Sequence, residues 1–355
     1  MPILSLENKT IPSSIHVFLY QQMTAMHIEK IQFGNTNLQV TPMGLGLAAL
    51  GRPGYINLGH GKDLNQNYEV AAMEDHAHQM LELAYHHGIR YFDAARSYGK
   101  AEQFLSSWMG DKKDITIGSK WGYTYTADWK VDAKYHEIKE HSVDVLNRQW
   151  EETLETFKRA PDIYHIHSAS IESGVLDNNQ VLDRLWALKD RGLIVGLSLS
   201  GPRQSDTLEK SIEIKSGDAQ LFQSVQVTCN ILERSTSQMI EKASDAGYGI
   251  IVKEALANGR LTERNLDGLF SEKLNILTEI AEKHQVGVDA IAIAYVLQQP
   301  WASVVLSGAA RQSHLISNLK KAFEIKLSPN DLHKLDELKE TPENYWQTRS
   351  NLRWN

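Results

Sequence analysis

Four polar side chains stand at or just past the ends of successive apolar runs, and their types suit proton transfer at a carbonyl. Asp93 and Tyr98 follow a run beginning at Ile89, Lys120 closes a run beginning at Ile115, and His167 closes one beginning at Ile163. A lysine at the end of an apolar strand is costly unless its charge is compensated, and Asp93 is the obvious counter-ion. A tyrosine beside that lysine is expected to have its phenolate stabilised, which brings its pKa down from about 10 toward a range useful to a general acid. Any one of the four is more often a packing residue or a structural ion pair; together they point to chemistry. His165 shares its run with His167, and strand alternation puts both on one side, so pattern leaves the choice between them open.

These side chains can act together only if the run ends are brought to one place. Short apolar runs recur at 43–47, 89–93, 115–120, 163–167, 194–198, 225–227, 250–253 and 304–306. Between them lie amphipathic stretches such as Met73, Ala77, Met80, Leu81 and Ala84, which share one helical face and are stopped by Gly88. Segments 181–193 and 291–297 read the same way. Eight buried strands alternating with helices, with no Pro/Gly/Ser-rich linker, predict an α/β fold of one domain, a closed (β/α)8 TIM barrel whose strand ends share the catalytic face. A doubly wound sheet would carry a phosphate fingerprint after its first strand, and Gly44-Leu45-Gly46-Leu47-Ala48-Ala49 lacks the third glycine. Turn residues Gly34-Asn35-Thr36-Asn37 between apolar stretches predict an N-terminal β-hairpin capping the barrel floor. The barrel unit is expected over 27–340. Residues 1–26 read as an N-terminal extension that need not be ordered, with Met26 an alternative translation start. The C-terminal tail 341–355 is placed near or outside the active-site rim, and packing of Tyr345, Trp346 and Trp354 on the outer wall is favoured over lining a site.

Composition narrows the function. With 42% hydrophobic and 23% charged residues in 355, wholesale disorder is excluded. The 37 basic and 44 acidic residues give a net charge of −7, no electrostatic reason for a nucleic-acid partner. The single cysteine, Cys229, excludes an internal disulfide and any multi-cysteine metal site and favours a reducing compartment. No apolar run reaches the roughly 18 residues of a membrane span, so no membrane partner and a cytoplasmic location are expected.

At Phe92-Asp93-Ala94-Ala95-Arg96-Ser97-Tyr98-Gly99 with Glu102, at Ile117-Gly118-Ser119-Lys120, and at Asp162-Ile163-Tyr164-His165-Ile166-His167, the chain resembles the aldo-keto reductases. The resemblance runs from about Ile31 to Ala322. It implies an oxidoreductase that transfers a hydride reversibly between NADP or NAD and a small aldehyde, ketone, sugar or alcohol. It further implies Tyr98 as acid/base, Lys120 and Asp93 tuning it, and His167, rather than His165, orienting the carbonyl or relaying a proton.

Barrels commonly bind phosphate near strands seven and eight, where backbone donors meet a helix N-terminus. By the same resemblance, Gly308 permits close approach there and Asn318 serves the adenine. His314 stands where NADP-preferring relatives usually carry an arginine for the 2′-phosphate, and Arg311, one turn earlier, could replace it. NADP is therefore expected to be favoured modestly, with NAD used, and protonation of His314 toward pH 6 should help NADP. Ser198 and Gln226 match the family's nicotinamide carboxamide contacts, although Leu199 replaces a frequent asparagine. Lys253 replaces a frequent stacking tyrosine, and Leu256 and Asn258 follow it in the cofactor loop.

Substrate identity lies in loops. The insertion 51–67 with Arg52, Tyr55 and His60 follows the first strand and belongs at the rim, as do Trp121, Tyr123 and Tyr125 after Lys120. Tyr55 and Trp121 are the substrate candidates. A second reading is a nucleotide-sensing binding protein resembling the potassium-channel β-subunits. A third, a zinc hydrolase using His165 and His167, is disfavoured because barrel hydrolases place their histidine pair on the first strand, and no metal is expected. The oligomeric state is not legible in the sequence.

Overall fold

A computed structural model describes residues 27–320 and 322–355. The expectations for residues 1–26 lie outside the described residues. Eight strands form a closed barrel: β1 (Met43–Gly46), β2 (Tyr91–Asp93), β3 (Thr116–Trp121), β4 (Ile163–Ala169), β5 (Ile194–Leu199), β6 (Ser224–Thr228), β7 (Gly249–Lys253) and β8 (Val304–Ser307). Every neighbouring pair is parallel and follows chain order, with β8 returning to β1 through Val305 opposite Met43. The expected (β/α)8 architecture is therefore present.

Alternation along the strands sorts side chains into two environments. Outward residues such as Phe92, Ile117, Ile166, Leu197, Val225 and Val252 are buried beneath the helices. Inward residues build a second core from Tyr91, Ile163, Ile251, Val304 and Leu306. Tyr91 fits because Gly44 and Gly118 lack side chains; a Cβ on Gly118 would meet the Tyr91 hydroxyl at 2.4 Å. The inner core is closed from below by Phe33 and Val40 of the antiparallel hairpin joining Ile31–Gln32 to Gln39–Val40. Gly34 makes that seat possible: its φ is +53°, and a Cβ there would lie 2.4 Å from the Gly249 nitrogen. The expected floor cap is thus in place.

The helices that cover the strands are α1 (Val70–His86), α2 (Ala101–Met109), α3 (Val143–Phe157), α4 (Asn179–Lys189), α5 (Gln204–Glu213), α6 (Ser237–Asp245), α7 (Ser271–His284), α8 (Val288–Leu297) and α9 (Gln312–Lys320). Most are amphipathic. The exception, α8, is apolar nearly all round and is buried between α7, α9 and β8, which its sequence Val-Asp-Ala-Ile-Ala-Ile-Ala-Tyr-Val-Leu demands. Two further helices, α10 (Pro329–Asp336) and α11 (Pro342–Ser350), follow. Thr341 caps α11 through the Asn344 amide with Pro342 in the first turn. No helix among the described residues is long and apolar enough to cross a membrane.

Candidate active site

At the carboxyl ends of the strands, the inward positions change from apolar to ionisable. Asp93 of β2 and Lys120 of β3 form an ion pair, and Lys120 Nζ also donates to the Ala94 carbonyl at 2.9 Å. From the opposite wall Gln226 of β6 donates to the other Asp93 oxygen at 2.9 Å. Tyr98, in the loop after β2, lies with its ring 4.9 Å from Lys120 Nζ and edge-on to His167 of β4 at 5.4 Å. His167 Nδ1 is 3.3 Å from Ser97 Oγ, and the ring is packed by Tyr123 at 4.9 Å. Asp93, Tyr98, Lys120 and His167 thus meet at one end of the barrel. His165, on the same side of β4, lies one layer deeper, bonded to Ser224 Oγ at 3.0 Å with its ring over Gly196. Alternation could not separate the two histidines; depth does.

The electrostatics correct one expectation. Burial and then the negative Asp93 push the Tyr98 phenol well above 10, and Arg52 reverses this only in part. Lys120 does not bring it down, because its ammonium is held against Asp93 and the Ala94 carbonyl. Tyr98 is therefore a protonated donor at neutral pH. Burial, with Lys120 and Arg52 nearby, holds His167 well below the usual histidine range, so it is neutral.

These groups open into a cavity of about 690 Å³ that runs from Asp93, Tyr98 and His167 past Lys253 and Asn258 to Gly308, His314 and Asn318. The loop after β7 is bent by left-handed φ values at Glu254 (57°), Ala257 (47°) and Asn258 (55°), a cost that non-glycine residues bear where the backbone is overdetermined. Leu256 and Asn258 line the cavity, and the buried Asn258 Oδ1 has no partner among the described residues. Asn318 is fixed by Ser307 at 2.9 Å and, in its satisfied orientation, by Asp289 and the His314 carbonyl. An orphaned amide oxygen, the open backbone at Gly308 and the first turn of α9 fit an elongated ligand carrying phosphate and polar rings.

Several assigned residues lie elsewhere. Trp121 continues β3, is fully buried and packs against His141, so it does not line the cavity. His60 is likewise buried. Ser198 is buried too, and its hydroxyl accepts from the Ser168 amide at 2.9 Å. Arg311 and His314 already have partners within the protein: Arg264 and Arg311 share the buried Asp63, Arg311 at 3.4 Å, and Arg264 donates to His314 Nε2 at 3.1 Å. Burial and then Arg264 lower the His314 pKa, opposite to the direction a phosphate sensor needs.

The rim is built by Arg52, Tyr55 and the C-terminal tail. Arg52 bonds Glu137 at 3.0 Å and the Ser97 carbonyl at 3.2 Å, and its guanidinium lies 5.2 Å from the Tyr55 and Tyr98 rings and 4.8 Å from Trp354. Tyr55 lines the cavity as expected of a rim residue. The tail differs from the outer-wall expectation. Trp354 lines the cavity and stacks on His136 at 3.8 Å, Tyr345 is buried against Asn230, and Arg349 of α11 grips Glu254 through bonds of 2.5–3.0 Å. Thr341 and Pro342 start α11 where its last turn meets the mouth; only that helix-start signal was available in sequence.

Comparison with known proteins agrees with this geometry. The profile of the Aldo/keto reductase family matches residues 43–340. The chain is 21% identical over 330 residues to an uncharacterized oxidoreductase of Bacillus subtilis, covering 87% of this chain and 95% of that one. It is 23% identical to D-threo-aldose 1-dehydrogenase of a Pseudomonas species, covering 79% and 90%. An aldo-keto reductase from Bacillus halodurans, solved in its holo form, superposes with a TM-score of 0.68 at 19% identity over 89% of this chain and 97% of that one. With its barrel, its polar strand ends and a profile match over most of its length, the chain belongs to the aldo/keto reductase family of oxidoreductases.

Proposed function

We propose that the protein reduces a small carbonyl compound, or oxidises the matching alcohol, with Tyr98 as the proton donor and acceptor. The observation that carries this is the convergence of Tyr98, His167 and the Asp93–Lys120 pair on one cavity mouth. Tyr98 keeps its proton at neutral pH and has it to give when a carbonyl oxygen arrives. Neutral His167 beside it orients that oxygen by a hydrogen bond. Arg52, 5.2 Å from the Tyr98 ring, is the cation that stabilises the phenolate left behind, while Lys120 fixes Asp93 beneath it.

NADP or NAD, held along Leu256, Asn258, Gly308 and Asn318, supplies the hydride when bound. Asp63 offsets one of the two charges carried by Arg264 and Arg311, which weakens the grip on a 2′-phosphate and favours use of both dinucleotides. Arg52, Tyr55 and Trp354 give the mouth an aromatic and cationic lining suited to a hydroxylated or aromatic carbonyl. The similarity to D-threo-aldose 1-dehydrogenase supports including sugars among the candidates.

The test is a matrix of aldehydes, ketones and sugars against NADP and NAD, followed by the absorbance of the reduced nicotinamide in both directions. Tyr98→Phe should lose about a hundredfold or more in turnover while still binding dinucleotide. Wild-type rates in that variant would remove Tyr98 from the chemistry. Tight dinucleotide binding with no turnover on any substrate would favour the nucleotide-sensing reading.

A further inference from the structure

Lys253 ends β7 and lines the cavity, yet no proton-transfer role falls to it. Its surroundings are unusual for a lysine. Nζ donates to two neutral hydroxyls, Thr228 Oγ1 at 2.6 Å and Ser200 Oγ at 3.1 Å. The nearest carboxylate, Glu254, is 3.8 Å away and is already taken by Arg349. Asp93 is engaged by Lys120 and Gln226. The ammonium form is therefore under-compensated and faces the cations Arg349 and Lys120, with neutral His167 beyond. Burial pushes the Lys253 pKa down to about 8; Glu254 opposes this, and Arg349 and Lys120 add to it. At that pH about half of it is free amine, against under about 1% of an ordinary lysine.

We propose that Lys253 is a covalent aldehyde-binding residue: when no dinucleotide fills the cavity, its amine condenses with an aldehyde there to form an imine. Nζ attacks the carbonyl carbon, two protons pass from nitrogen to the carbonyl oxygen, and that oxygen leaves as water while the C=N bond replaces C=O. Nothing is oxidised or reduced. The hydroxyls of Thr228 and Ser200 stand within hydrogen-bonding distance of the nitrogen to relay those protons. A desolvated lysine beside other cations is a recognised way of making this nucleophile. The proposal rests on the reading of this cavity as a carbonyl site, and it implies that dinucleotide must bind first to keep the enzyme productive.

The test is imine trapping. The full chain, freed of dinucleotide, is incubated near pH 8 with benzaldehyde and cyanoborohydride, and the benzyl adducts are mapped by peptide mass. The expected result is labelling of Lys253 at least about tenfold above any surface lysine, half-maximal near pH 8, suppressed by saturating NADP or NAD, and absent in Lys253→Met. Labelling spread evenly over surface lysines, a profile that rises only toward pH 10, or no protection by dinucleotide would overturn the proposal. The site map and pH profile come from the unmodified protein, so they hold even if the variant fails to fold. Because trapping is read without turnover, a failed reductase assay and a failed trapping experiment remain separate results.

Discussion

Gln226 reaches across the barrel interior to Asp93, its Nε2 2.9 Å from one carboxylate oxygen while Lys120 holds the other. Burial drives the Asp93 carboxyl upward, and Lys120 and Gln226 both oppose this. Gln226→Leu leaves one buried oxygen without a donor, which should cost about 1–3 kcal/mol of stability. It should also raise the Asp93 pKa further, moving the acid limb of the pH–rate profile to higher pH. Denaturant melts and the profile check both, and an unmoved acid limb would mean that Asp93 does not govern it.

The Asp93–Lys120 pair is fully buried, so removing one partner strands the other. Lys120→Met should destabilise by about 3–5 kcal/mol. Adding Asp93→Asn should recover part of that loss, because the stranded charge goes with it. Chemical denaturation of both singles and the double closes the cycle; strictly additive costs would show that the two charges are not coupled.

His314 is held below its usual range by burial and Arg264, so lowering the pH from about 8 to about 6 adds less charge there than at an ordinary histidine. The ratio of NADP to NAD dissociation constants should be flat across that interval. A shift of more than about threefold toward NADP at the lower pH, lost in His314→Gln, would restore the phosphate-sensing role.

Glu254 is held at about 2 by Arg349 and Lys253 despite its burial. Its folded pKa is depressed, so its contribution to stability is present above the unfolded pKa near 4.5 and is lost as pH falls through that value toward 2. The shift corresponds to at most about 3.5 kcal/mol. Melts between about pH 6 and pH 3 should show this loss, and Arg349→Met should flatten it while lowering stability at neutral pH. An acid dependence unchanged by that substitution would contradict the pairing.

The barrel and the four polar strand ends were legible because both follow from periodicity: buried runs give strands, and each run's end names its position on the catalytic face. Position along a strand was harder. Trp121 lies one residue past Lys120, and because β3 continues through it, alternation turns the ring outward beneath the helices. The direction of the Tyr98 shift depends on how deeply the phenol is buried and how close Asp93 lies, a question of ångströms that no spacing answers. Arg264 finds Asp63 across 201 positions and Arg349 finds Glu254 across 95, both between loops or termini with no repeating pattern. The rim position of Arg52 was legible, but its contact with Trp354 of the tail was hidden for the same reason.

Asn355 and Tyr55 exchange backbone hydrogen bonds in both directions, at 3.2 and 3.3 Å, stitching the tail to the cavity rim, while the hairpin near His27 sits at the opposite pole. Laboratory handling inherits this polarity. An affinity tag or fluorescent fusion joined at Asn355 would start at the lip of the cavity beside Trp354, whereas one that replaced residues 1–26 and joined at His27 would start beneath the barrel floor.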